Sequence, residues 1–464
     1  MPSEKEPGNE APTSIKLYRR RWFILAIFVA FSASNAAQWI QYSIVSNVIT
    51  NYYGVESLAV DWTSMIYMIT YIPFIFPASW LIEKKGLRTT TMIGSIGNCV
   101  GSWIKVLSVS PDRFYVTFIG QSIVAVSQVF VLSVPARLAA VWFGPEQVSS
   151  ACAIGVFGNQ LGIALGFLIP PMIVKNSENF DEIGHDLTVM FYAFAATTTV
   201  ICLLIIIFFK AEPDLPPSVS ILAEREKRKE AKDRQGVEAG ANGGEGEAPR
   251  GNEFGRQLVR LITNKGYLLL LASYGINTGV FYAISTLLNQ IVLPYYEGHE
   301  EDVGRIGLTI VVAGMGGSVI SGLILDKTHK FKEITLALYA LSLAGMAVYT
   351  FTLNCGYIAV VYLAAGLLGF FMTGYLPVGF EFAAELTHPE PEGTTVGILN
   401  AVVQVFGITF TTVYGQVLNA TGDLVANLTL AGALTFGLVL TVFIPSDLRR
   451  QAAFAKGHQS SPKH

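Results

Sequence analysis

A chain of 464 residues that is 52% hydrophobic and only 14% charged, with a mean hydropathy of +0.47, carries too little surface charge to fold as several water-soluble domains. The charge it has is uneven: 21 of its Lys, Arg, Asp and Glu residues lie between Lys210 and Lys265. The net charge of −3 identifies no partner, and no nucleic-acid partner is expected.

A membrane crossing needs roughly 20 apolar residues at ~1.5 Å rise each. In chain order the apolar runs predict crossings near 22–50, 59–81, 87–107, 114–141, 149–173 and 188–209. After the polar interruption they continue near 266–293, 304–325, 333–353, 357–386, 394–418 and 424–444. The first run is too long for a signal peptide and is read as retained. The expected fold is an all-α membrane protein with twelve transmembrane helices in two pseudo-symmetric six-helix bundles and a solute path along their seam. Its parts are a tail (1–21), a bundle (22–209), a partly disordered linker (210–264), a second bundle (265–445) and a closing tail (446–464).

Within the linker, Glu224 to Arg234 reads as a short solvated helix and Ala239 to Gly251 as Gly-rich disorder. Everything before Phe254 is expected to act as a flexible tether, and Phe254 to Ile262 as a helix on the membrane surface. Arg19, Arg20, Arg21, Lys84, Lys85, Arg88, Lys327 and Arg449 fall on one side, whereas Lys105, Arg113 and Lys175 are read as loop residues of the other. The positive-inside rule then makes both tails and the linker cytoplasmic. The cysteines have no metal spacing and no disulfide framework is expected. The Asn419 glycosylation sequon sits in a turn against the membrane, which argues against its use.

The two halves repeat. Glu83-Lys-Lys-Gly after the second crossing matches Asp326-Lys-Thr-His after the eighth, and Gly162 matches Gly407, offset by 243 to 245 residues. Asn35, Trp39, Tyr42 and Ser46 share one face of a continuous helix. The same offset gives Thr278, Tyr282, Ser285 and Asn289 on the seventh crossing. Trp39 and Tyr282 each lie about 18 residues from the basic end of their helix, hence at one depth, about 26 Å along it. Polar stripes in crossings commonly pack against other helices, but two equivalent stripes centred on aromatics favour a cavity lining. Gln128, Asn159, Gln160, Asn400 and Gln404 add amides at membrane depth, where each needs a partner.

No Asp, Glu, Lys, Arg or His falls at mid-depth by these boundaries. Intramembrane acids are the usual proton or sodium coupling groups, so uncoupled transport is the simplest mechanism. Glu381 and Glu385, one turn apart, are read as a gate or an ion pair with Arg137, alongside Glu83, Arg88 and Asp326 at the same ends. A neutral, aromatic site suits a weakly hydrated ammonium, which an aromatic face attracts by ~2 kcal/mol when desolvated. All six His lie in loops or the tail, so none offers an axial haem ligand in the cavity. No constellation for acid–base chemistry appears at depth, and no enzyme, metal or cofactor is expected.

Asn35-Ala-Ala-Gln-Trp-Ile-Gln-Tyr-Ser-Ile44, Asp61-Trp62, Trp142-Phe-Gly-Pro145, Gly158-Asn-Gln-Leu-Gly162, Ser285-Thr-Leu-Leu-Asn-Gln290 and Gln404-Val-Phe-Gly407 resemble the FLVCR family, the feline leukaemia virus subgroup C receptor-related transporters of the major facilitator superfamily. The superfamily loop pattern is only partly kept at Glu83-Lys-Lys-Gly86-Leu-Arg88. The resemblance implies an alternating-access carrier of choline and also ethanolamine, with haem export as the alternative. It implies substrate contacts at Trp39, Tyr282, Gln128, Gln404, Asn35, Asn159 and Met68. The expected protein is a monomeric, multi-pass uniporter of the plasma membrane, driven by the substrate gradient and the membrane potential.

Overall fold

A computed structural model describes residues 15–238, 250–390 and 392–459. Among these residues the regular structure is helical, without strands. The first half comprises α1 (Arg20–Ala37), α2 (Ser46–Tyr53), α3 (Ser57–Val106), α4 (Phe114–Ser133), α5 (Pro135–Trp142), α6 (Val148–Ile173) and α7 (Phe180–Phe208). Two helices follow in the linker, α8 (Val219–Glu238) and α9 (Arg250–Thr263). The second half comprises α10 (Lys265–Thr286), α11 (Leu288–Val292), α12 (Glu300–Thr328), α13 (Phe331–Thr352), α14 (Ile358–Thr387), α15 (Glu392–Thr421) and α16 (Asp423–Val442), and α17 (Arg449–Gln459) closes the chain.

Ten helical segments of the described chain are long and apolar enough to cross a membrane. One of them, α3, runs for 50 residues and is interrupted at Gly86, where φ is 86°. A residue without Cβ adopts that angle readily. The expected twelve crossings are reached only by counting the two sides of Gly86 separately and adding α1, an 18-residue helix that is not among the ten.

The halves are built alike. α6 packs on α1 as α15 packs on α10, and across the seam α6 meets α12 while α15 meets α3. Small residues let these backbones approach. Gly162 and Gly166 lie directly on the backbone of Ala33 and Ala37, and Gly407 lies on the Tyr282 ring and the Met68 sulfur.

Several expectations need correction. The first crossing is not one helix over 22–50: α1 stops at Ala37, and turns and a 3₁₀ segment (Ser43–Val45) lead to α2. The carbonyls released by this break are met by side chains, because membrane depth supplies no water. The Tyr67 hydroxyl donates to Asn35 O at 3.2 Å, Gln121 Nε2 to Gln38 O at 2.8 Å, and Asn289 Nδ2 to Ile44 O at 3.0 Å. The turn rotates Tyr42 off the Trp39 face, so its hydroxyl bonds Thr117 inside the first bundle. The seventh crossing likewise ends at Thr286 rather than 293.

Of the two readings of the linker, the short helix expected over Glu224 to Arg234 is the one found there: α8 occupies Val219–Glu238, and its Glu224 receives Arg137 at 2.8 Å. The stretch 239–249, read as Gly-rich disorder, lies outside the described residues. In place of a tail, α17 docks on α14.

The glycine contacts give a test. Gly162→Leu should separate α6 from α1 and lower the melting temperature of the purified protein sharply, since overpacking costs about 1–3 kcal/mol or more. Gly316→Leu, where an added Cβ meets nothing within 4 Å, should melt like wild type.

Candidate functional site

A cavity of about 100 Å³ lies on the seam. The turn after α1 brings Trp39 to it, and α10 brings Tyr282. Their ring centroids are 5.6 Å apart at 66°, an edge-to-face contact between the halves. Tyr67, Met68 and Tyr71 of α3 and Phe281 of α10 complete an aromatic and thioether wall. Gln128, Asn159 and Gln160 reach it from α4 and α6, and Thr373 and Gln404 from α14 and α15. Gln404 also lies beside the Tyr282 hydroxyl as a hydrogen-bond partner.

The polar atoms of this wall are conspicuously unsatisfied. Gln128 Oε1, Asn159 Oδ1 and Thr373 Oγ1 are buried without a hydrogen-bond partner among the described residues, and all three residues line the cavity. A buried polar group without a partner costs about 1–3 kcal/mol, so the cavity suits a guest with hydroxyl or N–H groups. No charged side chain is part of its lining.

Of the residues read from sequence as substrate contacts, Trp39, Tyr282, Gln128, Gln404, Asn159 and Met68 all fall on this cavity. Asn35 does not. Its Nδ2 donates to Val124 O at 3.0 Å and Asn98 Oδ1 at 3.3 Å, behind the lining. Its structural counterpart is Asn277, whose Nδ2 donates to Met372 O at 3.2 Å. The offset there is one residue less than at Trp39 and Tyr282, because α10 continues as a helix where α1 has already broken. Tyr67, Tyr71, Phe281 and Thr373 were missed. Tyr67 and Tyr71 carried a signal, a four-residue spacing on a crossing already assigned.

The loop position expected for Lys105 also needs correction. Lys105 is not a loop residue: it sits in the last turn of α3 and is 1% exposed. Its Nζ donates to Gln38 Oε1 at 2.9 Å and Gln41 Oε1 at 3.1 Å, and it stands 5.4 Å from the Tyr42 ring centroid. Ser102 and Asn98 extend the network through Gln38. The ammonium is thus held by neutral amides and a ring inside the first bundle, away from the cavity lining.

The two ends of the seam differ. Among the described residues, the hydrogen bonds and ion pairs joining the halves cluster away from the Arg20 and Lys265 end. Asn289 bonds Asn47 at 3.1 Å, Ser64 meets Thr286 at 2.9 Å, Gln290 Nε2 donates to Asp61 Oδ1 at 2.7 Å, and Lys175 pairs with Glu301. Asn289, expected on the substrate face, therefore belongs to this seal.

At the basic end the expected pairing of Arg137 with Glu381 or Glu385 is replaced. Arg137 pairs with Glu224, whose carboxyl its hydrogen bond holds below the usual range. That pairing is complete above the ordinary glutamate value and is lost as pH falls through the lowered one. Glu381 and Glu385 instead receive Arg450 of α17, at 2.7 and 3.0 Å. Arg88 donates to Ile206 O at 2.9 Å, while Glu83 and Asp326 are exposed and form no ion pair among the described residues.

Two pseudo-equivalent helical bundles with a cavity on the seam between them define a membrane transporter. Residues 22–412 match the Major Facilitator Superfamily. A choline/ethanolamine transporter of Danio rerio, flvcr2a, is 50% identical over 442 residues, covering 95% of this chain and 90% of its own. The choline/ethanolamine transporter FLVCR2 of Homo sapiens is 48% identical over 446 residues, covering 96% and 81%. A D-xylose–proton symporter shares the fold at a TM-score of 0.65 and 12% identity, over 92% of this chain and 98% of its own. The chain belongs to the Major Facilitator Superfamily and, within it, to the FLVCR transporters. It is a multi-pass membrane transporter and not an enzyme.

The α17 contact is testable. Glu385 is 1% exposed, so Arg450→Met leaves a buried carboxylate uncompensated and should cost about 3–5 kcal/mol, read as a lowered melting temperature. Arg137→Met, in a half-exposed pair, should cost under about 1 kcal/mol.

Proposed function

We propose that the protein is a facilitative uniporter of choline, and also of ethanolamine, working as a monomer in the plasma membrane with both termini in the cytoplasm. The seal then lies on the outer side, and this conformation faces inward. Trp39 and Tyr282 hold the ammonium head, while Gln128, Asn159, Gln404, Thr278 and Thr373 take the hydroxyl or primary amine.

The observation that carries this reading is a cavity with two opposed aromatic rings, orphaned amide and hydroxyl oxygens and no charged lining residue. A quaternary ammonium donates no strong hydrogen bond and gains ~2 kcal/mol from a desolvated aromatic face. An anion would need Arg or Lys there. The names of the zebrafish and human relatives point to the same substrate class. A volume of about 100 Å³ is also well below the ~300–1,000 Å³ of sites for drug-sized ligands, which disfavours haem. With no carboxylate in the lining to bind a coupling ion, an inside-negative potential suffices to draw a cation inward, at ~2.3 kcal/mol per 100 mV.

Labelled choline uptake into proteoliposomes tests this. Uptake should be saturable, competed by ethanolamine and not by haem, and accelerated by an inside-negative potential. Trp39→Ala and Tyr282→Ala should each reduce it about tenfold or more at equal protein incorporation. Uptake that survives the double substitution would remove the aromatic site, and insensitivity to potential would remove electrogenic uniport.

A further inference from the structure

Asp61 and Glu385 are the two carboxylates buried among the described residues. Glu385 has Arg450, but Asp61, 2% exposed, has no cation. Its Oδ1 accepts one hydrogen bond, from the Gln290 amide of the opposite half at 2.7 Å, and its Oδ2 faces Gly415. The cations at this end are engaged elsewhere: Lys105 with Gln38 and Gln41, Lys175 and Arg305 with Glu301, and Arg113 with Leu107 O. A buried carboxylate held by a single neutral amide is an unusual resident of a seam that must part.

Its position along α3 gives it a use. Asp61, Ser64, Met68 and Tyr71 are spaced three, four and three residues, so they share one face of the helix. Ser64 belongs to the seal through Thr286, whereas Met68 and Tyr71 line the cavity. Asp61 thus stands directly above the cavity on the same face, about 10 Å along the helix from Met68. The acidic stretch that opens α12 does not compete for this role, since Glu301 and Asp302 are paired with Lys175, His299 and Arg305.

We propose that Asp61 is a transient second site for the ammonium head of the substrate, used when the seal opens. Parting the halves withdraws Gln290 and bares the carboxylate to the outer vestibule. The arriving ammonium replaces the amide there, then passes down the α3 face to Trp39 and Tyr282. Reclosure returns Gln290 to Asp61 and displaces the cation inward. The inference rests on the proposed transport of a cationic amino alcohol; it adds a recruiting site that the neutral cavity itself lacks.

The test is labelled choline uptake from the outer side by cells expressing the full chain, with choline binding to the purified protein measured in parallel. Asp61→Asn keeps an acceptor for Gln290 and removes only the charge. It should raise the half-saturation concentration about tenfold and flatten its dependence on ionic strength, while binding to the purified, outwardly sealed protein stays near wild type. Asp61→Glu, which keeps the charge, should remain within about threefold of wild type. Gln290→Ala, which removes the latch, should alter the maximal rate and not the half-saturation concentration.

The proposal is overturned if Asp61→Asn leaves the half-saturation concentration within about twofold of wild type, or if Asp61→Asn and Gln290→Ala raise it alike. An ionic-strength-independent wild type overturns it even if the variant does not reach the membrane. Loss of purified-protein binding in Trp39→Ala together with any of these results strikes the recruiting site alone; retained binding in Trp39→Ala strikes the aromatic site instead.

Discussion

At membrane depth there is no water to satisfy a polar group, so each amide, hydroxyl or carbonyl must find its partner within the protein or in something it carries. Two places in the interior show what this constraint does. Behind the turn that follows α1, Gln38, Asn98, Ser102 and Lys105 close a network around one another, and Tyr67 and Gln121 meet the carbonyls that the broken helix exposes. On the seam, Gln128, Asn159 and Thr373 have buried oxygens that no side chain meets among the described residues. The first arrangement makes a rigid half; the second makes a place for a guest.

The same division governs motion. Among the described residues the halves are joined at the sealed end by a few hydrogen bonds, one of them from an amide to the Asp61 carboxylate, and by one exposed ion pair, contacts that can be exchanged for water when that end opens. The strong, buried carboxylate pairing, Glu385 with Arg450, lies inside the second half and its terminal helix. Interactions that would be expensive to break are kept within rigid bodies, and those between bodies are weak. Two stable orientations of one pair of bundles follow naturally from such a distribution.

Much of this was legible in the sequence because hydropathy reports spans directly and a repeat reports symmetry. The offset joining Glu83 to Asp326 also joins Trp39 to Tyr282, and the rings meet across the seam. What hydropathy could not report is where a span stops being helical. No Pro or Gly marks the break after Ala37, and missing it put Tyr42 on the wrong face and left Asn35 matched to Thr278 instead of Asn277. Lys105 was misplaced for a related reason: a lone Lys near a span end normally reaches solvent, and only the Gln38 and Gln41 oxygens brought in by that turn hold it inside. The Arg450 partnership of Glu381 and Glu385 was hidden because α17 is polar and looked like a tail.

The account comes down to a neutral pocket that chooses a positive head group by its ring faces. Isothermal titration calorimetry of the purified protein with choline and with its uncharged carbon isostere 3,3-dimethylbutan-1-ol measures that choice directly. The two ligands share shape and hydroxyl and differ only in the charge. Choline should bind at least about tenfold more tightly, as ~2 kcal/mol of cation–π attraction requires, with the difference abolished in Trp39→Leu combined with Tyr282→Leu. Equal affinity for the two ligands in the wild-type protein would contradict the account.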